Sequence, residues 1–249
     1  EGVRIEEMIG CAELFGYRNK MEFSFHANPD GFTLGLHSRG RYDEIFDLDR
    51  CHLQGDISNR IVHWVRDRVR RENISVYDVA NHTGFMRFLI VRMGKRTGQV
   101  MVNLVTNYGE IPNWQKLVRD MRSELPEVTT LIHNQNGRKA NIAVGETERT
   151  LYGLGYIEEK LFESRFRIRA NSFFQTNSIQ AETLYRTCFE MLNPQPADRI
   201  FDLYCGTGTI SILVARHVQH VVGVELVEDA IKSARENATL NNVANVEFH

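Results

Sequence analysis

The sequence predicts an α/β protein built in two parts. Residues 1–162 are expected to form an α+β domain on an antiparallel sheet, and residues 163–249 the first half of a doubly wound parallel sheet. Two observations predict this architecture. Apolar and polar residues alternate in segments of the first part that are separated by turns. From residue 199 onwards the order is strand, glycine-rich turn, helix, strand, helix and the start of a strand.

The first part contains alternating segments and two segments with helical periodicity. The alternation in 14–26, followed by the turn 28–31, predicts a hairpin. A four-residue spacing of Ile57, Ile61 and Val65 predicts the apolar stripe of a helix. The predicted strands are 14–26, 32–38, 85–94, 98–107 and 128–136, and the predicted helices are 56–72 and 113–125.

The second part begins with a strand predicted over 164–177, which places Arg165, Arg167 and Arg169 on one face. A helix over 178–192 and a polar linker follow. The remaining predicted elements are strand 199–205, helix 209–218, strand 220–226, helix 228–241 and a strand beginning near 245.

Composition indicates a protein that is neither membrane-spanning nor strongly basic. No apolar run approaches the roughly 20 residues that a membrane helix needs. The net charge is −2, with 25 Lys+Arg against 23 Asp+Glu in residues 1–171 and 5 against 9 in residues 172–249. The four cysteines have no metal-type spacing, so we expect reduced thiols in a cytoplasmic protein. We also expect a monomer whose natural N-terminus lies upstream of Glu1.

The turn "DLYCGTGT" after the first parallel strand is the strongest motif. Gly206 and Gly208 allow the backbone to approach a ligand closely, and Asp202 lies just before them. Glu225, nineteen residues after Gly206, is placed to accept hydrogen bonds from ribose hydroxyls. An NAD-type motif expects a third glycine where Ser211 stands, so the turn favours S-adenosylmethionine. NAD(P), or no nucleotide at all, stays open on this motif alone.

Longer motifs give a resemblance to a known family. "NSFFQTNSIQAETLY", "DLYCGTGTISILVA" and "GVELVEDAI", together with "YRNKMEFSF" and "HNQN", resemble the RNA 5-methyluridine methyltransferases. These enzymes use S-adenosylmethionine to methylate uracil in tRNA or ribosomal RNA. The resemblance covers nearly the whole chain and implies a Rossmann-like methyltransferase domain after an RNA-facing domain.

The resemblance also implies cofactor contacts. It assigns them to Gln175, Tyr204, Glu225 and Thr209, beside the turn glycines. Two of these have structural alternatives: Gln175 as the cap of the following helix, and Tyr204 as a core aromatic residue.

The family's chemistry implies a residue that this sequence does not contain. A cysteine thiolate adds to carbon 6 of the uracil, which activates carbon 5 for methylation, and a base then removes the carbon-5 proton. That cysteine belongs to a late segment of the family that is absent here, and none of the four cysteines fits the role. We therefore expect a fragment without a catalytic residue, inactive alone, that binds the cofactor weakly or not at all. A catalytically inactive RNA-binding relative, and a small-molecule methyltransferase or NAD enzyme, are the alternatives.

Metal and RNA contacts are further implications of the resemblance. Some members hold a 4Fe–4S cluster, and Cys51 stands where its fourth ligand would be; the alternative is a core cysteine. The RNA-contacting candidates are Arg18, Lys20, Arg165 and Arg167. The arginines of the helix 56–72 are a further candidate set, with a solvated face as the alternative.

Overall fold

A computed structural model describes residue 5, residues 7–41 and residues 44–249. Within these ranges the chain forms twelve strands and five α-helices. None of the described helices is both long and apolar enough to cross a membrane.

Seven strands form one large mixed sheet in the order β3-β2-β1-β4-β5-β6-β7. All neighbouring pairs are antiparallel except β5 and β6. The prediction of an antiparallel sheet therefore holds for five of the six pairs; the sixth is parallel because helix α2 crosses over between β5 and β6. The strands are β1 Lys20–Asn28, β2 Gly31–His37, β3 Ile45–Asp47, β4 Met86–Met93, β5 Val100–Thr106, β6 Val128–Gln135 and β7 Thr147–Tyr152.

Both faces of the central strands are covered. Val102 and Leu104 of β5 pack in one core with helices α1 (Asp56–Arg71) and α2 (Trp114–Glu124). Met101, on the opposite face of β5, packs in a second core with the C-terminal part of the chain. This double burial explains why β4 and β5 consist of nearly continuous apolar residues.

The C-terminal elements begin with an antiparallel hairpin. Its second strand, β9, ends at Ile168, so the strand predicted over 164–177 is too long. Beyond Ile168 the main chain bonds to side chains of β4 and of the segment before β1 instead of to a strand. The C-terminal elements are β8 Ile157–Leu161, β9 Ser164–Ile168, α3 Ser178–Leu192, β10 Arg199–Leu203, α4 Thr209–Val214, a 3-10 turn Ala215–His217, β11 His220–Val224, α5 Glu228–Leu240 and β12 Val246–Phe248.

Strands β10, β11 and β12 lie parallel in that order, with α4 and α5 as the connections. This is the first half of a doubly wound sheet, as predicted. The division at residues 162 and 163 stays a prediction. Strand β8 pairs with β9 across it, and buried Glu159 accepts main-chain N–H groups of Lys95 (2.8 Å) and Arg96 (3.0 Å).

Candidate cofactor-binding site

The turn after β10 is held in a left-handed conformation at three positions. Tyr204, Gly206 and Gly208 have φ angles of 65°, 54° and 77°. A Cβ on Gly208 would lie 2.8 Å from the Phe248 ring and 3.0 Å from the Ala234 methyl group, whereas a Cβ on Gly206 would meet nothing within 4 Å. Gly208 thus serves packing between the turn and the sheet, and Gly206 faces open space.

The Glu225 carboxylate is fixed by main-chain donors at the end of β11. One oxygen accepts the N–H of Gly206 (3.1 Å), and the other accepts those of Leu226 (2.8 Å) and Val227 (3.0 Å). The glycine turn and the start of α5 are therefore joined through one carboxylate. Each carboxylate oxygen has two lone pairs, so the oxygen that accepts only the Gly206 N–H retains capacity for a hydroxyl donor.

Asp202 lies near the end of β10, beside the first residues of α4. Its carboxylate accepts the Ser211 hydroxyl at 2.6 Å, and burial raises its pKa above the ordinary aspartate value. Ser211 is fully buried at the position where a dinucleotide-binding motif has its third glycine. The Ser211 side chain, bonded to Asp202, thus occupies the space that the third glycine of a dinucleotide-binding motif would leave empty.

A cleft of about 680 Å³ opens beside the turn. Gly206, Thr207 and Glu225 form one wall, and the first turns of α5 continue it. The opposite wall comes from the segment 144–148 and from Arg169 and residues 171–173. Both parts of the chain therefore contribute to one cleft next to the glycine turn.

Gln175 does not line this cleft. It lines a neighbouring pocket of about 330 Å³. Burial raises the pKa of Tyr185 to about 12, and the Asp202 carboxylate adds to this rise. A hydrogen bond with the Gln175 side chain acts in the opposite direction. Gln175 is not a helix cap, because the side chain of Asn177 accepts the Gln180 N–H (3.0 Å) at the start of α3.

The other predicted cofactor residues lie at the turn itself. Tyr204 is 90% exposed, so its interpretation as a core aromatic residue is wrong. Thr209 is the first residue of α4 and is partly exposed.

Sequence reasoning missed two side chains that hold the segment before α3. Asn19 donates from Nδ2 to the Gln175 carbonyl (2.8 Å) and to the Ser178 hydroxyl (2.7 Å). Arg92 of β4 donates to the Ser172 carbonyl. Asn19 is a polar residue on an otherwise apolar face of the "YRNKMEFSF" segment, which was the available signal.

Comparison with known proteins identifies the family. The model of the family described as tRNA (Uracil-5-)-methyltransferase matches residues 17–249. The chain belongs to this family. A relative from Chlorobaculum tepidum, named an uncharacterized RNA methyltransferase, is 38% identical over all of this chain and 55% of its own length. One from Halalkalibacterium halodurans with the same description is 34% identical over 99% of this chain and 54% of its own.

A solved structure of a family member has the same fold. The Pyrococcus abyssi tRNA (uracil-54, C5)-methyltransferase, in complex with S-adenosyl-L-homocysteine, superposes with a TM-score of 0.80 at 32% identity. The match covers 96% of this chain and 56% of that protein. This chain thus spans about half the length of the relatives it matches.

Within the methyltransferase fold, the predicted RNA-contacting residues fall into two groups. Arg18 and Lys20 line a pocket of about 400 Å³ between the start of β1 and residues 172–176. Arg165 and Arg167 of β9 lie 3.4 and 3.7 Å from Glu158 on the adjacent strand. The β9 arginines pair with Glu158 and Lys20 pairs with Glu22, but of the four candidates only Arg18 and Lys20 line this pocket.

Two arginines of α1 are buried within the first part of the chain. Arg66 donates to the carbonyls of Leu34 (2.8 Å) and Leu48 (2.6 Å) and is 5% exposed. Arg68 pairs with Asp120 and is equally buried. These two arginines therefore belong neither to an RNA-binding face nor to a solvated face, because each guanidinium has partners inside the fold.

The cysteines do not form a metal centre within the described residues, where no group of three or more Cys, His, Asp or Glu side chains is placed to hold a metal ion. Cys51 is buried in the first core, and its main chain is bonded to the Asn59 side chain. The described residues therefore supply no complete ligand set for an iron–sulfur cluster. Burial raises the pKa of Cys205 to about 11, so this thiol is protonated at neutral pH and is not activated as a nucleophile.

Proposed function

We propose that this chain forms the cofactor-binding and RNA-facing part of an RNA (uracil-5-)-methyltransferase. The intact enzyme would transfer a methyl group from S-adenosylmethionine to carbon 5 of a uridine in tRNA or ribosomal RNA. The observation that carries the proposal is the Glu225 carboxylate bonded to the Gly206 N–H at the edge of the cleft, in a chain of this family. The bound S-adenosyl-L-homocysteine of the Pyrococcus protein supports the choice of cofactor.

Each residue of the site would contact a different part of the cofactor. Glu225 would accept the ribose hydroxyls, and Gly206 would let the ligand approach the backbone. Asp202 would face the ammonium group, while Tyr204, Thr209 and Gln175 would complete the contacts. The cofactor supplies an electrophilic methyl group; this chain binds and orients it.

Activation of the uracil requires a nucleophile that we place outside this chain. A cysteine thiolate would add to carbon 6 and form a covalent adduct. Cys205 is protonated in its buried position, and Cys188 lies exposed on α3 and does not line the cleft. The isolated chain is therefore expected to be inactive. Coordination of a cluster by Cys51, a cytoplasmic location and a monomeric state stay predictions.

An NMR titration of the ¹⁵N-labelled chain with S-adenosylhomocysteine tests the cofactor assignment. We expect weak binding that shifts the amides of Gly206, Thr207 and Glu225. NAD⁺ at the same concentrations should leave these amides unchanged. Shifts with NAD⁺ alone, or no shifts at millimolar S-adenosylhomocysteine, would refute the assignment for this chain.

A second test separates the enzyme from an RNA-binding relative without catalysis. The chain alone, incubated with tRNA or ribosomal RNA and methyl-labelled cofactor, should incorporate no label. The longer parent protein should transfer label to carbon 5 of uridine. Failure of the parent to transfer label, with RNA binding retained, would favour the binding relative.

A further inference from the structure

The pocket of about 400 Å³ next to residues 172–176 has a concentration of positive charge. Three cationic side chains line it, Arg18, Lys20 and Arg92, against one acid, Glu22. The other lining residues are Met21, Ser172, Phe173, Phe174 and Thr176. A concave surface with a net charge of +2 and two hydroxyls is suited to an anion.

Arg92 is the unusual member of this set. It is 3% exposed, and it donates one N–H to the Ser172 carbonyl. Its buried Nε–H has no hydrogen-bond partner among the described residues, which is costly for a charged group. Burial lowers the pKa of Arg92 to about 10, and the carboxylate of Glu22 only partly opposes this shift. Arg92 therefore stays protonated at neutral pH.

The position of the pocket relative to the cofactor cleft is the second observation. Ser172 and Phe173 line both cavities, so these two residues form the wall between them. Phe173 is 73% exposed on this wall. An anion held by Arg92 would therefore lie directly beside the cleft in which we place the methyl donor.

We propose that this pocket binds a phosphodiester group of the RNA substrate, with Arg92 as its buried cation and Arg18 and Lys20 at its mouth. The inference rests on the proposed function, since RNA is the ligand, and it adds Arg92 to the RNA-contacting residues. It also separates Arg18 and Lys20, which line the pocket, from the arginines of β9, which do not. Phosphate contacts fix the register of a nucleic acid on a protein without reading its sequence.

Fluorescence anisotropy with a fluorescein-labelled single-stranded oligoribonucleotide, measured between 50 and 200 mM salt, tests the pocket. Replacing Arg92 by Gln should weaken binding by about tenfold and lower the salt slope by about 0.7, the value for one lost phosphate contact. Arg18→Gln is the second variant, because Arg18 is partly exposed and its loss is tolerated more easily by the fold. Arg149→Gln is the matched control; Arg149 is nearly half exposed, pairs with Glu110 and does not line the pocket.

The outcomes separate this inference from the proposed function. Circular dichroism must first show that each variant is folded; if Arg92→Gln is not, Arg18→Gln alone decides. A slope that falls for the pocket variants and not for Arg149→Gln supports the pocket. Equal slopes for all variants, or no RNA binding by the unaltered chain, overturn it even if S-adenosylhomocysteine shifts Gly206 and Glu225. If S-adenosylhomocysteine causes no NMR shifts but the pocket variants lower the salt slope, the cofactor assignment is overturned and the pocket is supported.

Discussion

The side-chain amide of Asn19 donates to the main-chain carbonyl of Gln175 at 2.8 Å, across 156 positions of sequence. The Asn19 N–H also bonds to the Thr176 carbonyl (2.7 Å), and its Nδ2 bonds to the Ser178 hydroxyl (2.7 Å). One residue before β1 thus fixes the segment that carries Gln175 and leads into α3. Because Arg92 holds Ser172 in the same segment, the large sheet sets the position of one wall of the cofactor cleft.

Replacing Asn19 by Ala should therefore destabilise the protein. Two hydrogen bonds disappear, and buried polar groups of the segment lose their donor, so we expect the free energy of unfolding to fall by about 1–3 kcal/mol. Urea denaturation followed by circular dichroism measures the change. Asn81→Ala is the control: Asn81 is exposed and bonds only locally to Asp78, so its loss should stay within about 0.5 kcal/mol. Equal losses for both variants would contradict a special role of Asn19.

The two glycines of the turn should respond differently to alanine. Gly208→Ala places a methyl group against Phe248 and Ala234 in addition to the strain of a left-handed residue, so we expect a loss well above the 1–2 kcal/mol of the backbone term. Gly206→Ala should lose only the backbone term, because its added methyl group meets open space. Thermal unfolding of the two variants measures the difference. An equal shift in Tm would show that packing around Gly208 relaxes at no cost.

Of these two variants, Gly206→Ala should be the more stable but should bind the cofactor less well. The methyl group of Gly206→Ala projects into the space that we assign to the ligand, so the NMR shifts with S-adenosylhomocysteine should be lost while the fold is kept. Retained shifts in Gly206→Ala would place the ligand elsewhere.

Glu225→Gln tests the ribose assignment. Glutamine retains an oxygen that accepts main-chain donors, but it loses the charge and one acceptor oxygen, so we expect the apparent Kd for S-adenosylhomocysteine to rise by at least about tenfold. Titration calorimetry or NMR measures it. Glu228→Gln is the matched control on the first turn of α5, where the carboxylate is 84% exposed and pairs with Lys232. The same loss in the control would point to a general charge effect in place of a contact.

The sequence predicted the C-terminal elements closely and the first part less well. Strand β10 and helix α5 begin at the predicted residues, since a glycine turn and a clear helical period mark their limits. The parallel pairing of β5 with β6 was not predictable from local alternation, which is the same in both directions. The buried state of Arg66 depends on carbonyls of Leu34 and Leu48, which are 32 and 18 positions away. Periodicity predicts which face of a helix or strand a residue occupies, but it does not predict tertiary hydrogen-bond partners such as these carbonyls.

The site divides in the same way. The glycine motif and its spacing to Glu225 brought Gly206 and Glu225 together correctly, because strand ends of a parallel sheet meet at one edge. Gln175 came from a resemblance, and the structure places it beside Tyr185, outside the cleft. Asn19 and Arg92 were missed since their partners are main-chain carbonyls, which have no sequence signature.

Asp202 provides a prediction in which stability and cofactor binding move in opposite directions. Burial raises the pKa of this carboxyl in the folded state, so between the unfolded and folded pKa values the native protein binds more protons than the unfolded chain. The stability that Asp202 contributes is therefore fully present below its unfolded pKa and is lost as the pH rises through the folded pKa. In Asp202→Asn this loss disappears, while the new amide oxygen still accepts the Ser211 hydroxyl.

The free energy of unfolding of Asp202→Asn, relative to the unaltered chain, should consequently increase between pH 4 and pH 7. Urea denaturation at several pH values measures this difference, with Asp30→Asn in the exposed β1–β2 turn as the baseline. S-adenosylhomocysteine should bind the variant more weakly at pH 7, because the carboxylate that we assign to its ammonium group is gone. A variant that loses stability relative to the unaltered chain as the pH rises would mean that ionised Asp202 is stabilised by the fold. Its carboxylate would then be a structural group, not one held at a cost for a cation.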